Sequence, residues 1–320
     1  MAKQKARYQK KKQAKPRKDD NLKIHLKRAF TGIVLLIILV VAAGVIAHHL
    51  LARKQSVQPS GIPPTVWPPK FEIYPEEEKE EIPPPKPAEK PWPPPPEKLP
   101  KVAIIIDDIG FDGDIAEKFL QLDANLTFSL LPYTRFQKRF AKKVSQKGLE
   151  VMLHLPMQPN EFPRVDPGPG ALLTSMSPDE LINQLKKNLD AVPGIKGVNN
   201  HMGSKMTTVS SQIYQIFTVL KQQGLFFIDS RTTLDSVCRP SARLFQIPFA
   251  QRDVFIDHNL DPDLIRRQID RLVQIANIHG EAVGIAHPHM ETYHVLSDML
   301  PDLQKKVRLV PASEIVHPVS

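Results

Sequence analysis

Six times after Lys101, a short apolar run ends in side chains that can carry chemistry. "VAIIIDD" ends in Asp107 and Asp108, "VMLH" in His154, and "GVNNH" in Asn199, Asn200 and His201. "LFFIDSR" ends in Asp229, Ser230 and Arg231, "VFIDHN" in Asp257 and His258, and "VGIAHPH" in His287 and His289. The runs are apolar throughout, as expected of strands buried on both faces. Stretches of helical periodicity separate them, and strands alternating with helices form a parallel sheet or barrel. In such folds the carboxyl ends of the strands converge on one mouth. The architecture therefore gathers residues that are far apart in sequence.

The spacing predicts strands over 102–107, 126–132, 150–156, 197–200, 225–230, 253–257, 282–288 and 307–311. Helices are predicted near 112–122, 136–146, 210–223 and 261–279. A further helix starts in "SPDELINQLKKNLDAV", where Ser177 is the N-cap, Pro178 the first helical residue and Glu180 the third. That pattern is a capping box. A long Pro- and Gly-rich loop leads up to it from the 150–156 strand.

Carboxylates and imidazoles meeting at one mouth are the donor set of a divalent cation. Zn²⁺ fits it, as do Mn, Fe, Co and Ni ions. Such an ion lowers the pKa of water toward about 7. It also answers the question posed by Asp107 beside Asp108: two buried like charges push one pKa up, and a cation removes the conflict. Asn199 and Asn200 suit either strand-end backbone groups or an oxyanion. Arg231 suits a sugar acid or a pair with Asp229. His258, His279, His294 and His317 read as surface residues, with His279-Gly280 a helix end. Cys238 is the single cysteine, so no intramolecular disulfide forms, and it reads as a small packed side chain.

The blocks "IIIDDIG", "VMLHLPMQP", "GVNNHMGSKMT", "FFIDSRTT" and "GIAHPHMET", in this order, resemble the divergent polysaccharide deacetylase family, a branch of the metal-dependent carbohydrate esterases. The resemblance covers about Lys101 to Val316. It implies a distorted barrel of the (β/α)7 type and removal of N- or O-acetyl groups from a glycan. It also implies Asp107 as the general base, Asp108 and His154 as metal ligands, and His287 as the acid that protonates the leaving group. Asp229 would orient His287 from behind. Where the superfamily places a second histidine after the first, this chain has Gln158 and Asn160. His201 is the candidate replacement and His289 its rival. Asn200, Arg231 and His289 are the candidate substrate contacts.

The chain ahead of this domain is of a different kind. Residues 1–28 hold 12 Lys or Arg against two Asp, which exceeds the +9 of the whole chain and leaves the rest near neutral. Residues 29–52 follow, and from Phe30 to Ala47 they carry no charge. That is the length of a membrane-spanning helix, and the basic flank places the N-terminus in the cytoplasm. A cleaved signal peptide is the competing reading. The basic tail then serves topology and anionic lipid rather than nucleic acid. Residues 53–100 contain half of the 32 prolines and both tryptophans. They read as a polyproline spacer, or as a ligand for an envelope protein that binds proline.

The expected organisation is thus a cytoplasmic tail (1–28), an anchor (29–52), a linker (53–100) and a deacetylase-like domain (101–320). The domain lies outside the cytoplasmic membrane, in the periplasm if the cell has an outer membrane. The expected activity is metal-dependent deacetylation of an envelope glycan. The alternatives are a catalytically degenerate glycan- or protein-binding protein and a purely structural envelope tether.

Overall fold

The computed structural model describes residues 99–319. The basic tail, the apolar segment and all of the linker except Leu99 and Pro100 lie outside the described residues. Among the described residues no helix is long and apolar enough to cross a membrane.

The elements alternate as the sequence predicts. They are β1 (Lys101–Ile109), α1 (Gly113–Gln121), β2 (Thr127–Leu130), α2 (Gln137–Gln146), β3 (Glu150–Met157), α3 (Pro178–Ala191), β4 (Gly197–Met202), α4 (Ser210–Gln222) and β5 (Phe226–Asp229). After these come α5 (Cys238–Phe245), β6 (Pro248–Gln251), β7 (Val254–Phe255), α6 (Pro262–His279), β8 (Glu281–Ala286), α7 (Met290–Lys306), β9 (Arg308–Leu309) and β10 (His317–Pro318). The capping box at Ser177 and Glu180 forms as expected. Asp261 caps α6, and Gly280 ends it in the left-handed conformation. The helices α5 and α7 are additions to the elements read from the sequence. The longer one contains Pro301, which removes an internal N–H and hides the helical pattern.

The strands pair in the order β10-β6-β5-β4-β3-β2-β1-β8-β7, with β9 also on β1. All neighbours are parallel except β10 on β6. The connection from β6 to β7 fixes the shape. Those strands lie seven steps apart along the sheet, about 34 Å if it were flat. Yet Gln251 and Val254 are three residues apart, a reach of about 11 Å at most. The sheet must therefore curl until its two edges nearly meet. Two adjacent residues bridge the seam: Arg252 N–H donates to Asp229 O and Asp253 N–H to Val283 O, both at 2.9 Å. No ladder joins β7 to β6 among the described residues, so the expected barrel is a curled open sheet.

Curling gives the sheet two buried faces. Val102, Ile104 and Ile106 of β1 face outward into the core shared with the helices. Ala103 and Ile105 face inward, with Met152, Phe226, Ile228, Phe255, Val283 and Ile285. This is why the strands lack the polar alternation of a half-exposed sheet. The inner face is tight. A Cβ on Gly197 would stand 2.2–2.5 Å from ring atoms of Phe226, its partner in the β4–β5 register. Gly197→Ala is expected to cost about 1–3 kcal/mol by overpacking, read from urea denaturation. An unchanged midpoint would contradict that packing.

Candidate metal centre and active site

Each inward-facing row leads to the mouth. On β1 the row is Ala103, Ile105, Asp107, and strict alternation would turn Asp108 outward. A register shift between Ile106 and Ile109 intervenes, and Asp108 takes a left-handed φ of 54°. This bulge brings both carboxylates into the site, which is a recurrent use of bulges. Met202 and Arg231, at the ends of β4 and β5, also have φ near 50°. Such conformations cost about 1–3 kcal/mol each and cluster at functional sites.

Asp108, His154 and His201 form the cluster of potential metal ligands, all buried, with one donor atom from each within 4.8 Å of the others. Asp108 Oδ1 is 3.2 Å from His154 Nε2 and 3.0 Å from His201 Nδ1. The two ring nitrogens are 3.2 Å apart. His201 reaches this place because β4 lies beside β3, with His201 in register with Pro156. It stands where Gln158 does not: Gln158 Oε1 accepts from Thr174 N and Oγ1.

The donors fit a cation. Asp108 is 3 % exposed, yet neither of its oxygens has a partner in hydrogen-bonding geometry. Burying an unpaired carboxylate is costly. Here the nearest groups are the two ring nitrogens, and one donor atom from each of the three residues lies within 4.8 Å of the others. Burial would raise the Asp108 pKa, but His201 and His154 outweigh it and hold the carboxyl well below the usual range. Burial opposes charge on His154 too, and Asp107 and Asp108 overcome it, raising its pKa. A cation would replace a proton on His154, so metal affinity should fall as pH falls.

Asp107 lies next to this cluster. Both of its oxygens accept from Asn199 Nδ2, at 2.8 and 2.9 Å. Burial raises its pKa above the ordinary carboxylate value. On the other side, His287 Nε2 is 3.9 Å from Asp108 Oδ2.

The carboxylate behind His287 is Asp257, which corrects the expectation of Asp229. Asp257 Oδ1 is 3.0 Å from His287 Nδ1, and Oδ2 accepts from His287 N and Thr292 Oγ1. Parallel pairing of Phe255 with Ile285 carries Asp257 alongside His287. Asp229 instead accepts from Ser236 Oγ and Arg231 N and builds the turn after β5. Burial would lower the His287 pKa, but Asp257 prevails and lifts it to about 9.

The expected substrate contacts divide. Asn200 lines the pocket, and its amide is tied to the strand ends, donating to Met202 O and accepting from Ser230 N. Arg231 is exposed beside the mouth. His289 is half-buried, its ring 6.3 Å from that of His287, and it stands outside the three-residue cluster. Arg252 was missed. It lines the pocket, donates to Ser230 O and Arg231 O, and lies over the Phe255 ring. It falls in the seam between two short strands, where the sequence shows no periodicity. A wider groove between Leu99, Leu149, Gly280 and Leu309, at the opposite strand ends, holds no such cluster among the described residues.

The His287–Asp257 pair makes a prediction for the metal-free chain. A pKa raised from 6.5 to about 9 contributes stability that is complete below 6.5 and lost as pH rises through 9. The contribution is roughly 3 kcal/mol. Chemical denaturation across this window should show the loss in the wild type and a much flatter profile in Asp257→Asn. Parallel profiles would refute the pairing.

Residues 104–316 match the family model described as divergent polysaccharide deacetylase. Over 217 residues the chain is 31% identical to the uncharacterized protein YibQ of Escherichia coli K12, covering 68% of this chain and 67% of that one. An uncharacterized protein of Haemophilus influenzae is 28% identical over 210 residues, covering 66% of this chain and 74% of that one. The crystal structure of uncharacterized protein ATU2773 from Agrobacterium tumefaciens C58 shares the fold, with a TM-score of 0.66 at 23% identity. It covers 71% of this chain and 92% of that one.

Proposed function

Because the chain belongs to the divergent polysaccharide deacetylase family, we propose that it is a metal-dependent hydrolase that removes acetyl groups from a glycan of the cell envelope. One observation carries the reading: a buried carboxylate, Asp108, without a hydrogen-bond partner, facing two imidazole nitrogens at 3.0 and 3.2 Å. Asp108, His154 and His201 would hold the cation. Zinc is the first candidate for a site of one oxygen and two nitrogen donors. When bound, it supplies Lewis-acid polarisation of the acyl oxygen and a lower pKa for water.

The remaining work falls to side chains of the chain. Asp107 accepts a proton from the attacking water at a carboxylate oxygen, helped by the burial that raises its basicity. His287 delivers a proton from Nε2 to the departing nitrogen or oxygen. Asp257 holds Nδ1–H and fixes the ring, a task carboxylates commonly perform behind imidazoles. The water oxygen ends on the acyl carbon, the C–N or C–O bond breaks, and acetate leaves. Phe255 and Ile285 line the pocket as an apolar wall. The placement at the envelope rests on residues 29–52 and their basic flank, read as an anchor.

The test is acetate release by the full-length chain from N-acetylated and O-acetylated oligosaccharides. Release is expected to stop on chelation and return with zinc. A chain that holds metal yet releases no acetate from either class would favour a glycan-binding role without catalysis.

A further inference from the structure

We propose that Asn199 is a positioning residue that couples Asp107 to His154 and fixes which nitrogen of His154 presents a lone pair to the metal centre. The inference rests on the metal-dependent reading above. Asn199 is fully buried at the centre of β4, in register with His154.

Its amide orientation follows from its neighbours. An amide NH₂ group can donate to both oxygens of a carboxyl group, whereas an amide carbonyl set against them has no hydrogen to give. The amide nitrogen must therefore face Asp107, where it lies 2.8 and 2.9 Å from the two oxygens. The carbonyl Oδ1 then faces the other way, toward Ser129 Oγ at 2.5 Å and His154 Nδ1 at 2.9 Å. A carbonyl oxygen cannot donate, so Nδ1 carries the proton. The lone pair of the neutral ring is left on Nε2, the atom nearest Asp108. Partners behind a ligating histidine commonly set its tautomer in this way.

The opposite orientation would press Oδ1 against Asp107 and the NH₂ group against Nδ1. His154 would then present Nε2–H to the site instead of a lone pair. The hydroxyls of Ser129 and Ser230 can rotate to suit either orientation, so Asp107 makes the choice. The residue assigned to proton transfer thus also readies a ligand of the cation, through one neutral amide.

The first readout needs no metal and no activity. The full-length chain is labelled with ¹⁵N-histidine, made metal-free and brought to a pH at which His154 is neutral. Multiple-bond ¹H–¹⁵N spectra, assigned by comparison with His154→Gln, should show His154 as the Nδ1–H tautomer. The Nε2–H tautomer would overturn the proposal. The second readout is zinc titration of two variants. Asn199→Asp keeps an acceptor for Nδ1–H but sets an oxygen against Asp107 where the NH₂ group stood, so it should lose zinc affinity by less than Asn199→Leu. Asn199→Leu removes the acceptor and should lose roughly 10- to 100-fold. Equal losses in both, or none in either, would also overturn the proposal. Should Asn199→Leu fail to fold, the tautomer decides. A wild type that binds no zinc would defeat the metal reading, and the tautomer would still judge the coupling by itself.

Discussion

Asp108→Ala is expected to leave the full-length chain folded, unable to retain a divalent cation, and inactive in acetate release. Asp108 supplies the sole oxygen donor of the three-residue cluster, and its own oxygens bond to nothing else. Its removal therefore deletes a ligand, and with it the charge that helps raise the His154 pKa. The loss of affinity should exceed the roughly 10- to 100-fold typical of changes behind a ligand. Metal content after dialysis is one check. Thermal denaturation is a second, because a cation that binds only the folded state raises the melting temperature. Wild type should gain stability on adding zinc, and the variant should not. Full metal content in Asp108→Ala would remove this residue from the site and the proposed chemistry with it.

Much of this site was legible because a parallel sheet converts a sequence rule into a spatial one. A polar residue at the end of an apolar run becomes a residue at the mouth, and Asp107, Asp108, His154, His201 and His287 all followed that rule. The choice of His201 needed only the expectation that consecutive strands are neighbours, as β3 and β4 are. What the rule could not supply was lateral order at the seam. Asp229 and Asp257 both close apolar runs ending in "FID" and look equivalent in sequence. They differ because β7, not β5, pairs with β8. That adjacency arises from the chain crossing from one sheet edge to the other within a few residues. The bulge that turns Asp108 inward was equally hidden, since a positive φ on an aspartate leaves no compositional mark. Arg252 was lost for the same reason as the seam itself: β6 and β7 are too short to show a period.

His287→Gln is expected to lower acetate release by about 10²–10⁴-fold while metal affinity stays near wild type. His287 lies outside the Asp108, His154, His201 cluster, and its Nε2 is 3.9 Å from the nearest Asp108 oxygen. Its contribution is a proton, so the loss should depend on what leaves. A substrate with a good leaving group, such as an aryl acetate, needs little protonation of the departing oxygen and should be much less affected than an acetamido sugar. Asp257→Asn offers the graded version of the same argument. It keeps the shape behind the ring and removes the charge that outweighs burial. A histidine acid works only while protonated, so the alkaline limb of the rate profile should move to lower pH in that variant. An equal loss on both substrate classes, or a fall in metal affinity matching the fall in rate, would place His287 among the ligands instead. The same comparison separates the two histidines of "AHPH": His289 is half-buried and outside the Asp108, His154, His201 cluster, and His289→Gln should alter the rate far less than His287→Gln.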